Sequence, residues 1–417
     1  MKIVEKYNNT SLIIRILCGL TIGIVLGMTC TGLTFIPLLG NVFVGALKAI
    51  APVLVFALVM SALAQGNDKL DRRFALVIVL YLVSTLLASV VAVVGSFLFP
   101  QTLILTEAAE ANTVPSGIVE VLSNLLLNMV SNPVDALVKG QYIGILFWAV
   151  VFGLGAKKVA SDSTKQMLSD VSDIVSKAVK WIINLAPFGI MGLVYSNVST
   201  NGLAIFTDYG KLILLLVVCM LSVSLIVDPL LVAIVLKRNP YPLVWRCLKG
   251  SGVTAFFTRS SAANIPVNME LCEKLKMDKE MYAVSIPLGA TINMDGAAIT
   301  IAVMALAAAN TVGISVSFPS ALILAFVSTL AACGASGVAG GSLLLIPMAC
   351  SLFGVSQDVA MQVVAVGFII GVIQDSLETA LNSSGDVMFA ATAEYSQWKK
   401  EGKSLPKFLG GETETDV

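Results

Sequence analysis

Four carboxylate residues lie within long apolar stretches of the sequence: Asp295, Asp375, Glu378 and Asp386. An ionised carboxylate at the centre of a bilayer costs at least roughly 2.5 kcal/mol, so such a residue needs compensation. Arg259 is the only basic residue deep in the apolar part of this half of the chain. Bound cations or protons would supply the remaining positive charge. The alternative is a set of neutral, hydrogen-bonded carboxyls that serve packing alone.

The residues beside these acids favour a hard cation. The segments Asn293-Met294-Asp295-Gly296 and Asn382-Ser383-Ser384-Gly385-Asp386 each predict a break in an apolar helix, with side-chain and backbone oxygens on offer. The chain has no histidine, and its seven cysteines form no CxxC pair. Oxygen ligands without His or Cys suit Na⁺ and argue against zinc or copper. Without histidine, Ser-His and Cys-His catalysis are also excluded, so we do not expect an enzyme.

The composition indicates that membrane-crossing helices hold these residues. Hydrophobic residues make up 57% of the 417 residues and charged residues 12%, against roughly 25% charged residues in soluble domains. Lys plus Arg balance Asp plus Glu at 26 each, so no net charge would attract nucleic acid. A membrane helix needs about 20 apolar residues. Runs of this kind are Leu12 to Ile36, Val42 to Ala64, Phe74 to Phe99, Ile182 to Tyr195 with its flanks, Leu212 to Leu236, Met281 to Ala309 and Ala360 to Phe389, while Ile118 to Leu154 is interrupted at Asn132-Pro133.

Basic residues indicate which loops share a side of the membrane, since cytoplasmic loops are rich in Lys and Arg. Counted from a cytoplasmic N-terminus, the loops around Arg72, Lys157, Lys237 and Lys276 and the tail after Trp398 all fall inside. We therefore expect both termini in the cytoplasm. The polar tail after Ser404 is expected to be disordered.

Two segments are too interrupted to be ordinary spans. Gly250 to Leu271 has basic residues beyond both ends and contains the helix-breaking Asn264-Ile265-Pro266, which predicts a re-entrant hairpin from the cytoplasm. Phe318 to Phe353 has the glycine-rich segment Gly334 to Gly341 at its middle, which predicts a second hairpin from outside. Inverted repeats with broken helices are typical of secondary transporters, whose site lies where the repeats meet. A passive ion channel, which also uses intramembrane acids and re-entrant loops, is the alternative from another class.

The last apolar helix carries its polar residues on one face. Asp375, Glu378, Thr379 and Asn382 are separated by steps of three or four residues, which is the period of a helix. We expect this face to look at the hairpin tips, where helix N-termini would direct N–H groups at a substrate carboxylate. An Asp opposite could hold an ammonium group. The constellation therefore fits an α-amino acid together with a cation.

The sequence resembles the dicarboxylate/amino acid:cation symporter family, which includes glutamate and neutral amino acid transporters. The resemblance covers essentially the whole chain and is carried by Arg259-Ser260-Ser261, Asn293-Met294-Asp295-Gly296, the Gly334 to Gly341 tip and Asp375 through Asp386. It implies an all-α polytopic fold like that of glutamate transporters, with eight transmembrane helices and two re-entrant helical hairpins in inverted repeats. It also implies a homotrimer in the bacterial inner membrane, whose transport domain moves like an elevator. The scaffold would comprise residues 1–73 and 101–210, the transport domain residues 74–100 and 211–398, and the cytoplasmic tail residues 399–417.

The resemblance also implies roles for single residues. Ser261 and Asn382 would bind the substrate α-carboxylate, and Asp375 the α-ammonium, with backbone carbonyls of Arg259 and Val338 completing the ammonium site. The expected substrate-binding residues are Arg259, Ser260, Ser261, Val338, Asp375, Glu378, Thr379 and Asn382. Sodium would take three sites: one with Gly289, Asn293, Asn382 and Asp386, a second that includes Thr291, and a third with Tyr81, Ser84, Thr85, Asn293 and Asp295.

Departures from the family pattern bear on the ions. Gly371 stands where some members have an additional Asp, and Ala332 and Ala335 replace hydroxyl residues near the second cation site. The number of ions therefore does not follow from the sequence. A carboxyl such as Asp386 or Glu378 could titrate when desolvated, so proton coupling stays open beside Na⁺ as the coupling ion.

Glu378 is the departure that bears on the substrate. Members that carry acidic amino acids have an arginine one turn below the Asp that binds ammonium, where this chain has Glu378. An arginine would pair with a side-chain carboxylate, whereas a glutamate would repel it. Together with Thr379, Glu378 could bond a hydroxyl, so we expect import of L-serine and L-threonine, as in the bacterial neutral branch of the family. Two alternatives stay open: Glu378 pairs with Arg259 for structure alone, or the substrate range is broader.

Overall fold

A computed structural model describes residues 10, 12–30, 32–65, 72–105, 127, 129–202, 205–333, 335 and 340–415. Over these residues the chain is helical, and its one β-type pairing is an isolated bridge between Pro406 and Thr413. The prediction of an all-α polytopic protein is confirmed at this level. Five of the described helices are long and apolar enough to cross a bilayer, or six if one bent pair counts as a single span. The more detailed prediction of eight transmembrane helices and two hairpins is not confirmed by this number of spans and stays a prediction.

Except for the helix Arg72–Leu98, which packs on the carboxyl-terminal half, the helices of the amino-terminal half pack mainly on one another. They are α1 (Leu12–Thr29), α2 (Phe35–Ala64), α3 (Arg72–Leu98), α4 (Pro133–Lys139), α5 (Tyr142–Val159), α6 (Asp162–Ile183) and α7 (Ala186–Asn201). The apolar run Leu12 to Ile36 is thus not one span, because α1 ends at Thr29 and α2 begins at Phe35. The predicted interruption at Asn132 is confirmed, since its side chain caps α4 by accepting from Val134 N at 2.9 Å. Helices α6 and α7 form the bent pair, at 50°.

The carboxyl-terminal half surrounds one long helix. Its helices are α8 (Ile205–Ser222), α9 (Asp228–Leu236), α10 (Tyr241–Cys247), α11 (Val253–Thr258), α12 (Ser261–Lys274), α13 (Lys279–Ile292), α14 (Asp295–Thr311), α15 (Phe318–Ala332), α16 (Ile346–Ser351) and α17 (Gln357–Lys400). A π-helical turn joins α8 to α9 and another joins α10 to α11. Helix α14 is buried from Asp295 to Ala309 and packs against α3, α15, α16 and α17. This half therefore encloses the polar residues that the sequence places in apolar helices.

Helix breaks occur at one of the two predicted motifs. Asn293 and Met294 leave the helical conformation between α13 and α14, with ψ angles of 81° and 52°. In contrast, α17 continues through Asn382 to Asp386, so the predicted second interruption is wrong. The Ser384 hydroxyl donates to Ala380 O at 2.7 Å inside the helix. A Cβ at Gly385 would lie 2.7 Å from Asn293 Nδ2, so this glycine serves close packing and not a turn.

The first hairpin turns at Arg259 and Ser260. Arg259 ends α11 in the left-handed conformation at φ 52°, and the Ser260 hydroxyl accepts from Ala263 N at 3.2 Å to begin α12. Helix α12 then returns against α11. Pro266 lies inside α12, so the expectation that Asn264-Ile265-Pro266 breaks the helix is wrong. In the segment predicted as the second hairpin, the described residues run through α15 and resume with a 3-10 turn at Ser342–Leu345 before α16. Most of its predicted tip, Gly334 to Gly341, lies outside the described residues, so the hairpin itself stays a prediction.

The carboxyl-terminal tail is folded against the end of α17. Leu405 and Leu409 are buried, and the Arg246 guanidinium lies 4.1 Å from the Phe408 ring centre. The predicted disorder after Ser404 is therefore wrong for the described part of the tail, because two leucines and one aromatic ring provide enough apolar area to anchor it.

Several basic residues meet at this end of the molecule. Arg73 at the start of α3 donates to Asp278 at 2.9 Å and to Glu394 at 3.2 Å. Lys399 near the end of α17 donates to Leu236 O at the end of α9. The start of α3 and the ends of α9, α12 and α17 thus share one end of the bundle, as expected from their basic residues.

Candidate substrate and cation site

Residues from both of the segments predicted as hairpins bond to Asp375 of α17. Its Oδ2 accepts from Arg259 Nε at 2.7 Å, and its Oδ1 accepts from the Gly340 backbone N–H at 3.1 Å. Both side chains of the ion pair are more than nine-tenths buried. A substrate ammonium at Asp375 would therefore have to share this carboxylate with Arg259 or displace it.

Glu378 lies one helical turn further along the same face. Its Oε2 accepts hydrogen bonds from Thr300 of α14, Ser342 of the 3-10 turn before α16 and Gln374, at 2.9, 2.9 and 2.5 Å respectively. Because Arg259 makes its ion pair with Asp375, the alternative in which Glu378 pairs with Arg259 is not formed here. The Glu378 carboxylate is held by neutral donors, so its negative charge has no basic partner among the described residues.

Ser260 and Ser261 follow Arg259 in the chain, and Thr379 follows Glu378. Ser261 is buried at the first position of α12, and Ser260 caps the same helix. The Thr379 hydroxyl donates to Asp375 O at 2.7 Å and so is turned toward its own helix. Val338 lies outside the described residues, and its predicted role stays a prediction.

Asn382 and Asn293 join α17 to the break between α13 and α14. Asn382 Oδ1 accepts from Gly296 N at 2.8 Å, so a side chain from α17 satisfies an N–H in the first turn of α14. Asn293 Nδ2 donates to Asn382 O at 3.0 Å and to Asp386 Oδ1 at 3.1 Å. Asn293 Oδ1 and Asp386 Oδ2 are buried without a hydrogen-bond partner in the described part of the chain. Two unsatisfied oxygens on side chains that are hydrogen-bonded to each other fit a cation, because buried polar atoms otherwise find partners.

Tyr81 and Gly289 complete this cluster from α3 and α13, although the resemblance placed Tyr81 in the third cation site, with Ser84, Thr85 and Asp295. The Tyr81 hydroxyl lies 3.0 Å from Asp386 O and 3.3 Å from Ser285 O. A Cβ at Gly289 would lie 2.7 Å from Asp386 Oδ1 and 2.8 Å from Tyr81 OH. The glycine therefore lets the α13 backbone approach the carboxylate directly.

A second cluster surrounds Asp295 at the start of α14. Ser84 Oγ lies 2.7 Å from Asp295 Oδ2, and Thr85 Oγ1 lies 2.7 Å from Asp295 Oδ1. Ser84 Oγ is also 2.7 Å from Asp228 Oδ1, which comes from α9. The sequence reasoning missed Asp228, although it is an acidic residue within the apolar run Leu212 to Leu236 and meets the criterion that identified the other four.

The resemblance assigns Thr291 to a second cation site apart from these two clusters, and that assignment stays a prediction. Thr291 is exposed and donates to Leu288 O of its own helix at 2.7 Å, so its hydroxyl joins neither cluster. Among the donors to Glu378, Thr300 and Ser342 are neutral polar residues whose local pattern does not distinguish them from ordinary positions. Gln374 lies four residues before Glu378, so the helical period that grouped Asp375, Glu378 and Asn382 could have found it.

Comparison with known proteins gives one family. The model of the sodium:dicarboxylate symporter family matches residues 12–396. A protein of Bifidobacterium adolescentis named serine/threonine transporter SstT is 64% identical over 98% of this chain and 95% of its own length. Proteins of the same name from Streptococcus thermophilus and Streptococcus agalactiae are each 56% identical over 96% of this chain and 99% and 100% of their own lengths, respectively.

These matches confirm the resemblance seen in the sequence. They also confirm that the chain is an integral membrane transporter and not an enzyme, since the family is one of symporters. With a family model that spans nearly all of it, the chain belongs to the sodium:dicarboxylate symporter family.

Proposed function

We propose that this protein is a secondary active transporter that imports L-serine and L-threonine together with Na⁺. Relatives up to 64% identical over nearly the whole chain carry the name serine/threonine transporter, and the family name refers to sodium. The buried polar site supports the same function, because it combines a paired Asp375 with clusters of oxygen atoms that suit a hard cation.

The observation that carries the substrate choice is the Glu378 carboxylate. It lies one turn from Asp375 and is oriented by three neutral donors. An acidic amino acid bound at Asp375 would bring a second carboxylate close to it. Two like charges about 4 Å apart repel by roughly 4 kcal/mol at the effective dielectric constant of a partly buried site. A serine or threonine hydroxyl would instead donate to Glu378, so neutral hydroxy amino acids suit this pocket.

The cation sites follow from the two oxygen clusters. Asn293 and Asp386 contribute side-chain oxygens without hydrogen-bond partners in the described residues, and Gly289 and Asn382 contribute nearby backbone. Ser84, Thr85 and Asp295 form the other cluster. Both lack His and Cys, which supports Na⁺ over a softer metal ion.

An elevator mechanism fits the way in which the helices pack. Helices α1, α2, α5, α6 and α7 pack together as a scaffold, whereas α3 and α8 to α17 would form a transport domain around the site. In this proposal the homotrimer is built on the scaffold, and the protein lies in the inner membrane with both termini in the cytoplasm. The shared basic end of the bundle supports that orientation.

The test is uptake of labelled L-serine into proteoliposomes under an inward Na⁺ gradient, a pH gradient or neither. We expect uptake that requires Na⁺, is blocked by L-threonine and is unaffected by L-aspartate. Strong competition by L-aspartate would contradict the role given to Glu378. Uptake driven by the pH gradient alone would contradict sodium coupling, and flux that does not saturate with L-serine would indicate a channel.

A further inference from the structure

A fifth buried acid, Asp228, joins the cluster at the start of α14. Ser84 Oγ of α3 lies 2.7 Å from Asp228 Oδ1 and 2.7 Å from Asp295 Oδ2, so the two carboxylates are separated by at most twice this distance. Both acids are fully buried. Neither has an ion-pair partner in the part of the chain that the structure describes.

The hydrogen bonds around Ser84 do not neutralise the two carboxylates, which still need a positive charge. A serine hydroxyl has one proton and can donate it to one carboxylate only. The other 2.7 Å contact then joins two acceptor oxygens. Asp228 Oδ2 is also buried and has no hydrogen-bond partner among the described residues. A pair of acids with these contacts requires a cation, or a proton on one of them, to be stable in a buried site.

A π-helical turn between α8 and α9 places Asp228 beside Ser84 and Asp295. Residues Val223–Val227 form a π-helical turn, and the Asp228 N–H closes it by donating to Val223 O. Exposed apolar residues follow one stripe on both sides of the turn, namely Leu214, Val218, Leu221, Ile226, Leu230 and Ile234. The step across the turn is five residues, whereas the other steps are three or four. The additional residue lets α9 keep its apolar stripe outward while Asp228 faces the interior, and π turns are frequent at functional sites.

We propose that Asp228 is a cation ligand, and that Asp228 and Asp295 hold one hard monovalent cation with the hydroxyls of Ser84 and Thr85. This inference rests on the sodium coupling proposed above and adds a carboxylate that the family motifs in the sequence do not include. The cation would connect α3, α9 and α14. Its affinity would depend on two negative charges, so loss of either should weaken cation binding.

The experiment is a Na⁺ titration of the thermal unfolding of the purified protein, without amino acid and with choline chloride keeping the ionic strength constant. Binding to the folded state raises the unfolding temperature in proportion to ln(1 + [Na⁺]/Kd). We expect Asp228→Asn to raise the Kd for Na⁺ that is fitted to this relation at least tenfold. Asparagine has the shape of a neutral aspartic acid, so a protonated, purely structural Asp228 predicts an unchanged titration. Asp173→Asn, on the exposed face of α6, is the matched control and should titrate like the wild type.

Two further variants separate the possible failures. Asp295→Asn should weaken Na⁺ binding as well, and the double variant should weaken it by less than the product of the two single effects, because both residues serve one site. A wild-type titration of Asp228→Asn beside an impaired Asp295→Asn would overturn this proposal and leave sodium coupling intact. A wild-type protein that does not respond to Na⁺ would instead overturn sodium coupling, and this inference with it. If Asp228→Asn does not fold, Asp228→Glu replaces it: an unchanged Kd for Na⁺ and an unchanged preference for Na⁺ over Li⁺ would then overturn the proposal.

Discussion

Gly289 lies where no side chain fits, and its replacement by alanine tests the cation cluster around Asp386. A Cβ at this position would be 2.7 Å from Asp386 Oδ1, 2.8 Å from Tyr81 OH and 2.9 Å from Asp386 Cγ. Ordinary contact begins near 3.4 Å, so the carboxylate and the hydroxyl must both move by several tenths of an ångström.

The groups that must move also hold each other in place. Asp386 Oδ1 accepts from Asn293 Nδ2 at 3.1 Å, and Tyr81 OH lies 3.0 Å from Asp386 O. Excess volume of this kind in a packed interior costs about 1–3 kcal/mol. If that cost falls on the sodium-bound state, Na⁺ binding weakens by roughly 5- to 150-fold.

The assay is the Na⁺ dependence of L-serine uptake in proteoliposomes, reported as the half-saturating Na⁺ concentration. Gly45→Ala in α2 is the matched control, because a Cβ at Gly45 meets no atom within 4 Å. We expect Gly289→Ala to shift the half-saturation and Gly45→Ala to leave it unchanged. A Gly289→Ala protein that folds normally and keeps the wild-type Na⁺ dependence would refute the assignment of a cation to this cluster.

Three further predictions concern the substrate, the basic end of the bundle and the tail. Glu378→Gln should lower L-serine affinity in competition uptake by roughly tenfold or more, since a hydrogen bond to a charged group contributes about 1.5–3 kcal/mol. The hydrogen bond from Arg73 lowers the pKa of Asp278 below its ordinary value of 3.8. The bond therefore contributes its full stability to the folded state above pH 3.8, and this contribution is lost as the pH falls through the lower folded-state pKa. The difference in unfolding temperature between the wild type and Arg73→Gln should therefore be largest above about pH 4 and should decrease as the pH falls below that value. Leu409→Ala should speed proteolytic cleavage of the tail, because truncation of a buried leucine costs about 2–5 kcal/mol.

Each of these predictions has a contrary outcome. Unchanged L-serine affinity in Glu378→Gln would rule out hydroxyl recognition by this residue, with the exposed Glu280→Gln as its control. A difference in unfolding temperature that widens on acidification would contradict the pairing of Arg73 with Asp278. The control is Leu98→Ala at an exposed position, which should be cleaved in the tail at the wild-type rate. If Leu409→Ala were also cleaved at the wild-type rate, the tail would be held by other contacts.

Local sequence was a good guide wherever the physics is local. The spacing of Asp375, Glu378 and Asn382 places them on one side of α17 because an α-helix repeats every 3.6 residues. The break at Asn293 was likewise predictable from polar residues and a glycine inside an apolar run. Basic residues also marked the helix ends that meet at one end of the bundle.

Local signals failed where tertiary contacts satisfied the same residues in another way. Gly385 looked like a helix breaker, but the nearby Asn293 amide explains the absence of a side chain. Pro266 is accommodated inside α12, and the tail is ordered by its leucines and by Phe408.

The partners of the buried acids could not be read from the chain, because they lie far away along it. Arg259 meets Asp375 across 116 residues, Thr300 meets Glu378 across 78, and Ser84 meets Asp228 across 144. Amino acid types and hydropathy determine that such acids are in the membrane and need compensation. The packing of the helices alone determines which donor compensates each acid, because a hydrogen bond depends on a separation of about 3 Å that composition and spacing do not encode.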